Sequence, residues 1–140
     1  MKTHYFSLKD IVHFQRNGFL IVPAMYDGEE MKHASKSIDE ITALKPEIGR
    51  QMVYFEDSLS DPGKKILSRI EKFSDYHKGL HDLAYEEKMM GRVSELLEEK
   101  ALLFKEKINF KLPGGGGFKP HQDIQPGWDT YAPYFISVLV

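Results

Sequence analysis

The chain has 140 residues, 41% hydrophobic and 29% charged, with a formal net charge of −2 and no cysteine. This length suits one ordinary globular domain with a real core, and the near-neutral charge gives no bulk attraction for nucleic acid or an anionic membrane. Without cysteine, disulfides, zinc–thiolate sites, iron–sulfur clusters and thiol nucleophiles are excluded; no signal-peptide apolar core opens the sequence and no apolar run reaches membrane-spanning length, so a cytoplasmic protein is expected.

In chain order, Ser7-Leu8-Lys9-Asp10 has the spacing of a helix-capping box, with Asp in place of Glu. Leu8, Ile11, Val12 and Phe14 give that helix a short apolar face, and Asn17-Gly18 terminates it. Residues 19–22 read as a short strand closed by Pro23. Asp27-Gly28-Glu29-Glu30 opens a second helix, its acidic residues suiting the positive N-terminal end. Met31, Ala34, Ile38 and Ile41 recur at helical spacing, and Lys45-Pro46 stops it. Residues 52–55 read as a strand and 57–63 as a loop. From 64 to about 99 the pattern is helical, broken near Gly79 and Gly91, with Ile66, Ile70 and Phe73 on one face and Met89, Val93, Leu96 and Leu97 on another.

The texture changes at residue 102. Phe104, Glu106, Ile108, Phe110 and Leu112 alternate with Lys105, Lys107, Asn109 and Lys111, the period of a strand with one largely apolar face. Pro113 and the glycines at 114–117 end it. Pro126-Gly127 and Ala132-Pro133 bracket a loop carrying Trp128 and Tyr131, and residues 134–140 read as a final strand, apolar on both faces. Such a strand belongs inside a sheet, so the chain reads as the front part of a longer domain.

Chemistry concentrates at His121-Gln122-Asp123. Residues two apart in an extended segment point to the same side, with α-carbons roughly 6.6 Å apart, so imidazole and carboxylate can converge on one ion. One nitrogen and one hard oxygen donor suit a divalent first-row metal, and are two-thirds of the 2-His-1-carboxylate triad of non-haem Fe(II) oxygenases. The bland reading is a surface pair beside a glycine turn; the setting, after a strand and before an aromatic loop, favours ligands displayed at the mouth of a β-scaffold.

The glycines at 114–117 lack the Gly-Lys-Ser/Thr ending of a phosphate loop and lead into no helix, so they read as a flexible hinge. His77 and His81 stand at i, i+4, but no glutamate lies between them and Asp82 is expected to face away, so both read as solvated. Lys107, Asn109 and Lys111 share a strand face that is either a solvated exterior or a surface for an acidic co-substrate, to which Asn109 adds a donor and an acceptor. Trp128, the single tryptophan, either walls a pocket or covers core. No serine has the strand-to-helix glycine elbow of a nucleophile, and no catalytic side chain is nominated.

Asn17-Gly18-Phe19-Leu20-Ile21-Val22-Pro23, followed by the acidic helix start, resembles the opening of phytanoyl-CoA dioxygenase-like proteins. Lys107-Ile108-Asn109-Phe110-Lys111-Leu112-Pro113-Gly114, joined at loop-length spacing to His121-Gln122-Asp123, is similar to that family's central signature and is the more specific block. The resemblance implies an α+β fold, with N-terminal helices packed on an incomplete double-stranded β-helix (jelly-roll, cupin-like) core, and one domain over 1–140 that is the N-terminal part of the oxygenase domain. It implies Fe(II) held by His121 and Asp123 plus a later His, with 2-oxoglutarate and O2 as co-substrates. Asn109 and Lys107 match positions that contact 2-oxoglutarate, and Trp128 or Tyr131 the aromatic that lines the substrate pocket. No His or Arg follows Asp123, so the third ligand and the Arg that anchors the co-substrate are absent. The expected activity is hydroxylation of a small polar metabolite; an aminophosphonate or amino-acid-like compound suits the lysines. The competing readings are a non-catalytic metal- or ligand-binding cupin-like module and an inactive fragment.

Overall fold

The computed structural model describes residues 4–123 and 127–140. In chain order it has helices α1 (Leu8–Asn17) and α2 (Gly28–Ala43), strands β1 (Met52–Asp57) and β2 (Lys65–Glu71), helices α3 (Lys78–Tyr85) and α4 (Glu87–Leu97), strand β3 (Lys107–Asn109), and a 3-10 turn at Trp128–Thr130. The three strands form one antiparallel sheet in the order β1-β2-β3. The architecture is α+β, as expected. Among the described residues no helix is long and apolar enough to cross a membrane.

Local chemistry fixes the first two helices where the capping signals put them. Ser7 Oγ accepts from the Asp10 backbone N–H (3.2 Å) while the Asp10 carboxylate accepts from the Ser7 N–H (3.1 Å), so the shorter Asp completes the box. At α2, Asp27 accepts from Glu29 and Glu30 N–H at 2.9 Å each, and Glu30 returns the bond to the Asp27 N–H at 2.7 Å. The helix then buries Ala34, Ser37 and Ile41. The core lies between α2, the sheet and α3: Ile41, Ile70, Phe73 and Leu80, with Ile38, Val53, Leu67, Ile108 and Phe110 packed against it.

Residues 64–99 depart from the helical expectation, because Lys65–Glu71 is a strand. Its pairing explains the misreading. Tyr54 pairs with Arg69 and Phe55 with Leu67, leaving Ser68 as the extra residue of a β-bulge. The bulge turns Leu67 and Ile70 to the same face, three residues apart, and both reach the core. The expected face of Ile66, Ile70 and Phe73 is therefore not kept: Ile66 pairs with Glu56 and lies on the side opposite Leu67, while Leu67, Ile70 and Phe73 meet at the core with a spacing that imitates a helix. The helix break also falls at Glu86, which caps both α3 and α4, not at the glycines. Gly79 and Gly91 serve close approach instead: a β-carbon at Gly79 would collide with Ser37 Oγ of α2, and one at Gly91 with the Tyr5 hydroxyl.

Two other expected strands do not form. Residues 19–22 and 134–140 run without ladder pairing, and the strand expected across 104–112 keeps three ladder residues, prolonged by a Phe110 N–H to Ser68 carbonyl bond of 2.9 Å. An apolar run is not a strand until another backbone satisfies its amides, and among the described residues none is aligned with either segment. Pro126, at the start of the expected aromatic loop, lies outside the described residues.

His77, expected to be solvated, is instead engaged through both ring nitrogens. Its Nδ1 accepts from the Leu80 N–H (3.3 Å), capping α3, while its Nε2–H donates to Glu40 (3.0 Å), and only 14% of the side chain is exposed. His81 stacks on Tyr85 with centroids 4.6 Å apart, and its Nδ1 lies 3.3 Å from Asp82, which therefore does not face away. His77→Ala is expected to cost about 1 kcal/mol, the usual worth of a lost cap, read as a lower urea midpoint. His77→Asn should restore most of it, and metal affinity should not change in either variant.

Candidate metal centre

The bulge also builds the surface on which the site stands. Register places Tyr54, Arg69 and Asn109 opposite one another across the three strands, and Glu71 opposite Lys107. Side chains of directly paired residues share a face, so this polar face lies opposite the one carrying Val53, Ile70 and Ile108. The Arg69 guanidinium lies over the Tyr54 ring, 4.0 Å from its centroid. Its Nε sits 2.9 Å from Glu71 Oε1, in a geometry that makes an ion contact without a hydrogen bond. Lys105 approaches the other Glu71 oxygen at 3.2 Å. Arg69, Lys111, Glu56, Tyr54, Ser68 and Phe118 line a shallow cleft over this face.

After β3 the chain turns at the glycines. Gly114 adopts a left-handed φ of +84°, and its carbonyl accepts from the Leu59 N–H at 2.8 Å. A β-carbon there would lie 2.5 Å from Ser58 Oγ and 2.6 Å from Ser60 Oγ. This turn is thus packed against the 58–60 loop, a correction to the free hinge expected from composition: glycine is needed for contact as well as conformation. Phe118 follows, with the Lys111 ammonium over its ring 4.2 Å from the centroid and the His121 ring 6.2 Å away. Phe118 thus belongs to the cleft lining and also neighbours the His-x-Asp segment.

His121 Nδ1 lies 2.7 Å from the Lys119 carbonyl. A carbonyl can only accept, so Nδ1 carries the proton, and in the neutral ring Nε2 presents a lone pair. That Nε2 is 3.4 Å from Asp123 Oδ1. The other carboxylate oxygen, Oδ2, accepts a 2.7 Å hydrogen bond from the Ser137 hydroxyl. This bond holds the Asp123 carboxyl below its ordinary range, against partial burial, which pushes it up; Lys107 and His121 add to the lowering. The carboxylate is thus ionised at neutral pH.

The donor set fits a divalent metal. An imidazole nitrogen and a carboxylate oxygen come within 3.4 Å of each other, and metal bonds of about 2.0–2.2 Å would allow one ion to reach both in place of a proton on Nε2. The Nδ1–H to carbonyl bond is the outer contact that fixes a metal-binding tautomer. Among the described residues no third His, Asp or Glu joins the pair.

The other expected residues fall into two groups. Lys107 and Asn109 are exposed on β3, Lys107 near enough to Asp123 to act on its charge and Asn109 opposite Arg69. Trp128 and Tyr131 gather with Phe104 and Phe135 in an aromatic cluster, Trp128 edge-on to Phe104 at 5.2 Å and to Phe135 at 5.6 Å, and Tyr131 5.4 Å from Phe104. Trp128 is half-buried and Tyr131 is 75% exposed. Sequence reasoning missed Arg69, assigned to a helix, and Ser137, a lone hydroxyl in an apolar run.

A model of the family described as phytanoyl-CoA dioxygenase (PhyH) matches residues 14–139. The chain is 39% identical over 137 residues to a 2-aminoethylphosphonate dioxygenase of Uncultured bacterium HF130_AEPn_1, covering 97% of this chain and 52% of that protein. It is 32% identical over 136 residues to dioxygenase lolE1 of Epichloe uncinata, with 96% and 52% covered. A methylphosphonate hydroxylase of Gimesia maris is 31% identical over 110 residues, with 79% and 41% covered. The chain thus spans about half the length of the curated relatives it matches. No solved structure matches.

Proposed function

The chain belongs to the phytanoyl-CoA dioxygenase family, and from that premise we propose that it provides two metal ligands, His121 and Asp123, to an Fe(II)- and 2-oxoglutarate-dependent hydroxylase of a small polar metabolite. The observation that carries the reading is the approach of His121 Nε2 and Asp123 Oδ1 to 3.4 Å, with His121 Nδ1 held by the Lys119 carbonyl so that Nε2 is the nitrogen turned to the carboxylate. Similarity to a 2-aminoethylphosphonate dioxygenase and a methylphosphonate hydroxylase supports a phosphonate among the candidate substrates. The fold implied by the family is the cupin-like jelly roll, to which the three-stranded antiparallel sheet would contribute.

Bound Fe(II), with 2-oxoglutarate and O2, supplies the oxidising power that hydroxylates a C–H bond. The chain's own residues bind and orient. Arg69 and Lys111 set two cations against the one carboxylate of Glu56 in the cleft beside Phe118, a positive balance that suits a dianionic 2-oxo acid, and Asn109, opposite Arg69, offers it a hydrogen bond. Lys107 lies closer to Asp123 and adds positive potential where acidic groups gather. Trp128 and Tyr131 hold the prime substrate, their cluster joined to the metal pair by the short span from Phe135 to Ser137. The test is a substrate-dependent assay of 2-oxoglutarate turnover in the full-length protein, with 2-aminoethylphosphonate among the compounds offered. Turnover that needs Fe(II) and couples to a hydroxylated product supports the reading; metal binding without any turnover favours a non-catalytic module.

Two residues should separate the binding roles. Asn109→Ala is expected to raise the KM for 2-oxoglutarate about fivefold to tenfold, matching a lost hydrogen bond of about 1 kcal/mol or somewhat more, with coupling intact. Trp128→Ala should leave that KM nearly unchanged but uncouple 2-oxoglutarate consumption from product formation, because the target C–H is no longer held in place. Reversed phenotypes in steady-state and product assays would mean that the two placements are wrong.

A further inference from the structure

We propose that Ser137 is a positioning residue for the metal-binding carboxylate, an inference that rests on the assignment of His121 and Asp123 as ligands. A carboxylate with two free oxygens can turn either toward an ion, or rotate away from it. Here the Ser137 hydroxyl donates to Oδ2 at 2.7 Å, so Oδ1 is the oxygen left facing His121 Nε2 at 3.4 Å. The opposite ligand is held in the same manner, by the Lys119 carbonyl on His121 Nδ1 at 2.7 Å. Each donor atom is thus aimed by a hydrogen bond on its far side, as metal ligands usually are.

Ser137 reaches Asp123 because the segment carrying it is anchored two residues earlier. Phe135 packs on Phe104 at 4.9 Å and on Trp128 at 5.6 Å between ring centroids. In extended chain, residues two apart point to one side, so the aromatic anchor and the hydroxyl act from the same edge. Sliding the segment by one residue would present Ile136 or Val138, neither of which can donate. The strap therefore has a register, set by Phe135 and read out at Asp123.

The test is Mn(II) affinity, followed by electron paramagnetic resonance in the full-length protein, with apo-protein melting measured alongside. Ser137→Ala is expected to weaken Mn(II) binding about 10–100-fold, the usual cost of losing an outer partner of a ligand, with the apo melting midpoint unchanged. Ser137→Thr keeps the hydroxyl and should bind within about threefold of the parent, a rescue at the site scale of a lost hydrogen bond. Unchanged affinity in Ser137→Ala, or failure of Ser137→Thr to restore it, overturns the proposal. Asp123→Ala separates this from the underlying assignment: if it too binds Mn(II) normally, the ligand pair is wrong, whereas loss in Asp123→Ala with none in Ser137→Ala rejects the positioning role alone.

Discussion

Replacement of Asp123 or His121 by alanine is expected to reduce Fe(II)-dependent turnover in the full-length protein to the protein-free background. On the proposed assignment each residue supplies one of the two donors, which lie 3.4 Å apart, and Asp123 would also supply the negative charge that compensates a divalent ion. Loss of a partner that merely orients a ligand costs about 10–100-fold, so loss of the ligand itself should exceed that range. Asp123→Ala carries a further consequence, because the Ser137 hydroxyl then loses its acceptor and residues 134–140 lose a tie to the site. His77→Ala is the matched control, since that imidazole caps α3 and, among the described residues, lies in no cluster of three or more potential ligands. Assays of 2-oxoglutarate consumption and metal content check both. Full activity in either His121→Ala or Asp123→Ala would move the metal elsewhere.

Ile70→Ala should be the most damaging single change to the fold. Ile70 is 1% exposed in the core cluster with Ile41, Phe73 and Leu80, and it pairs with Val53 on one side and Ile108 on the other. Truncating such a side chain costs about 2–5 kcal/mol, set against a net stability of about 5–15 kcal/mol for a domain. The residue is also central to the sheet that carries Arg69 and Asn109 on its opposite face, so the site should loosen with the core. Urea unfolding checks the magnitude. Leu8→Ala, at a position 80% exposed, should stay within about 0.5 kcal/mol.

The two kinds of residue differ in how far they can be read from sequence. Helices α1 and α2 are legible because their caps are local: Ser7 with Asp10 and Asp27 with Glu30 are each closed by bonds spanning three residues. The approach of His121 to Asp123 is legible for the same reason, since two positions apart in extended chain suffice to bring their side chains together. Strand β2 is not, because the bulge at Ser68 depends on a partner strand, and its effect is to space Leu67 and Ile70 as a helix would. Arg69 was lost with it, since its place opposite Asn109 is a matter of register. Ser137 acts across 14 positions, and a single hydroxyl between Ile136 and Val138 carries no periodic signal. Residues 19–22 and 134–140 have strand composition, but composition cannot say whether a neighbouring backbone is present to pair with them.

Metal binding coupled to 2-oxoglutarate is the claim on which the rest depends, and an anaerobic titration examines it directly. Fe(II) and then 2-oxoglutarate are added to the full-length protein, to Asp123→Ala and to Asn109→Ala, and the visible charge-transfer absorption of a chelated 2-oxo acid is followed. The expected result is a saturable band in the parent, none in Asp123→Ala, and a band in Asn109→Ala that saturates only at higher 2-oxoglutarate. A parent protein that binds neither Fe(II) nor 2-oxoglutarate, or an Asp123→Ala variant that develops the same band at the same concentrations, would contradict the account.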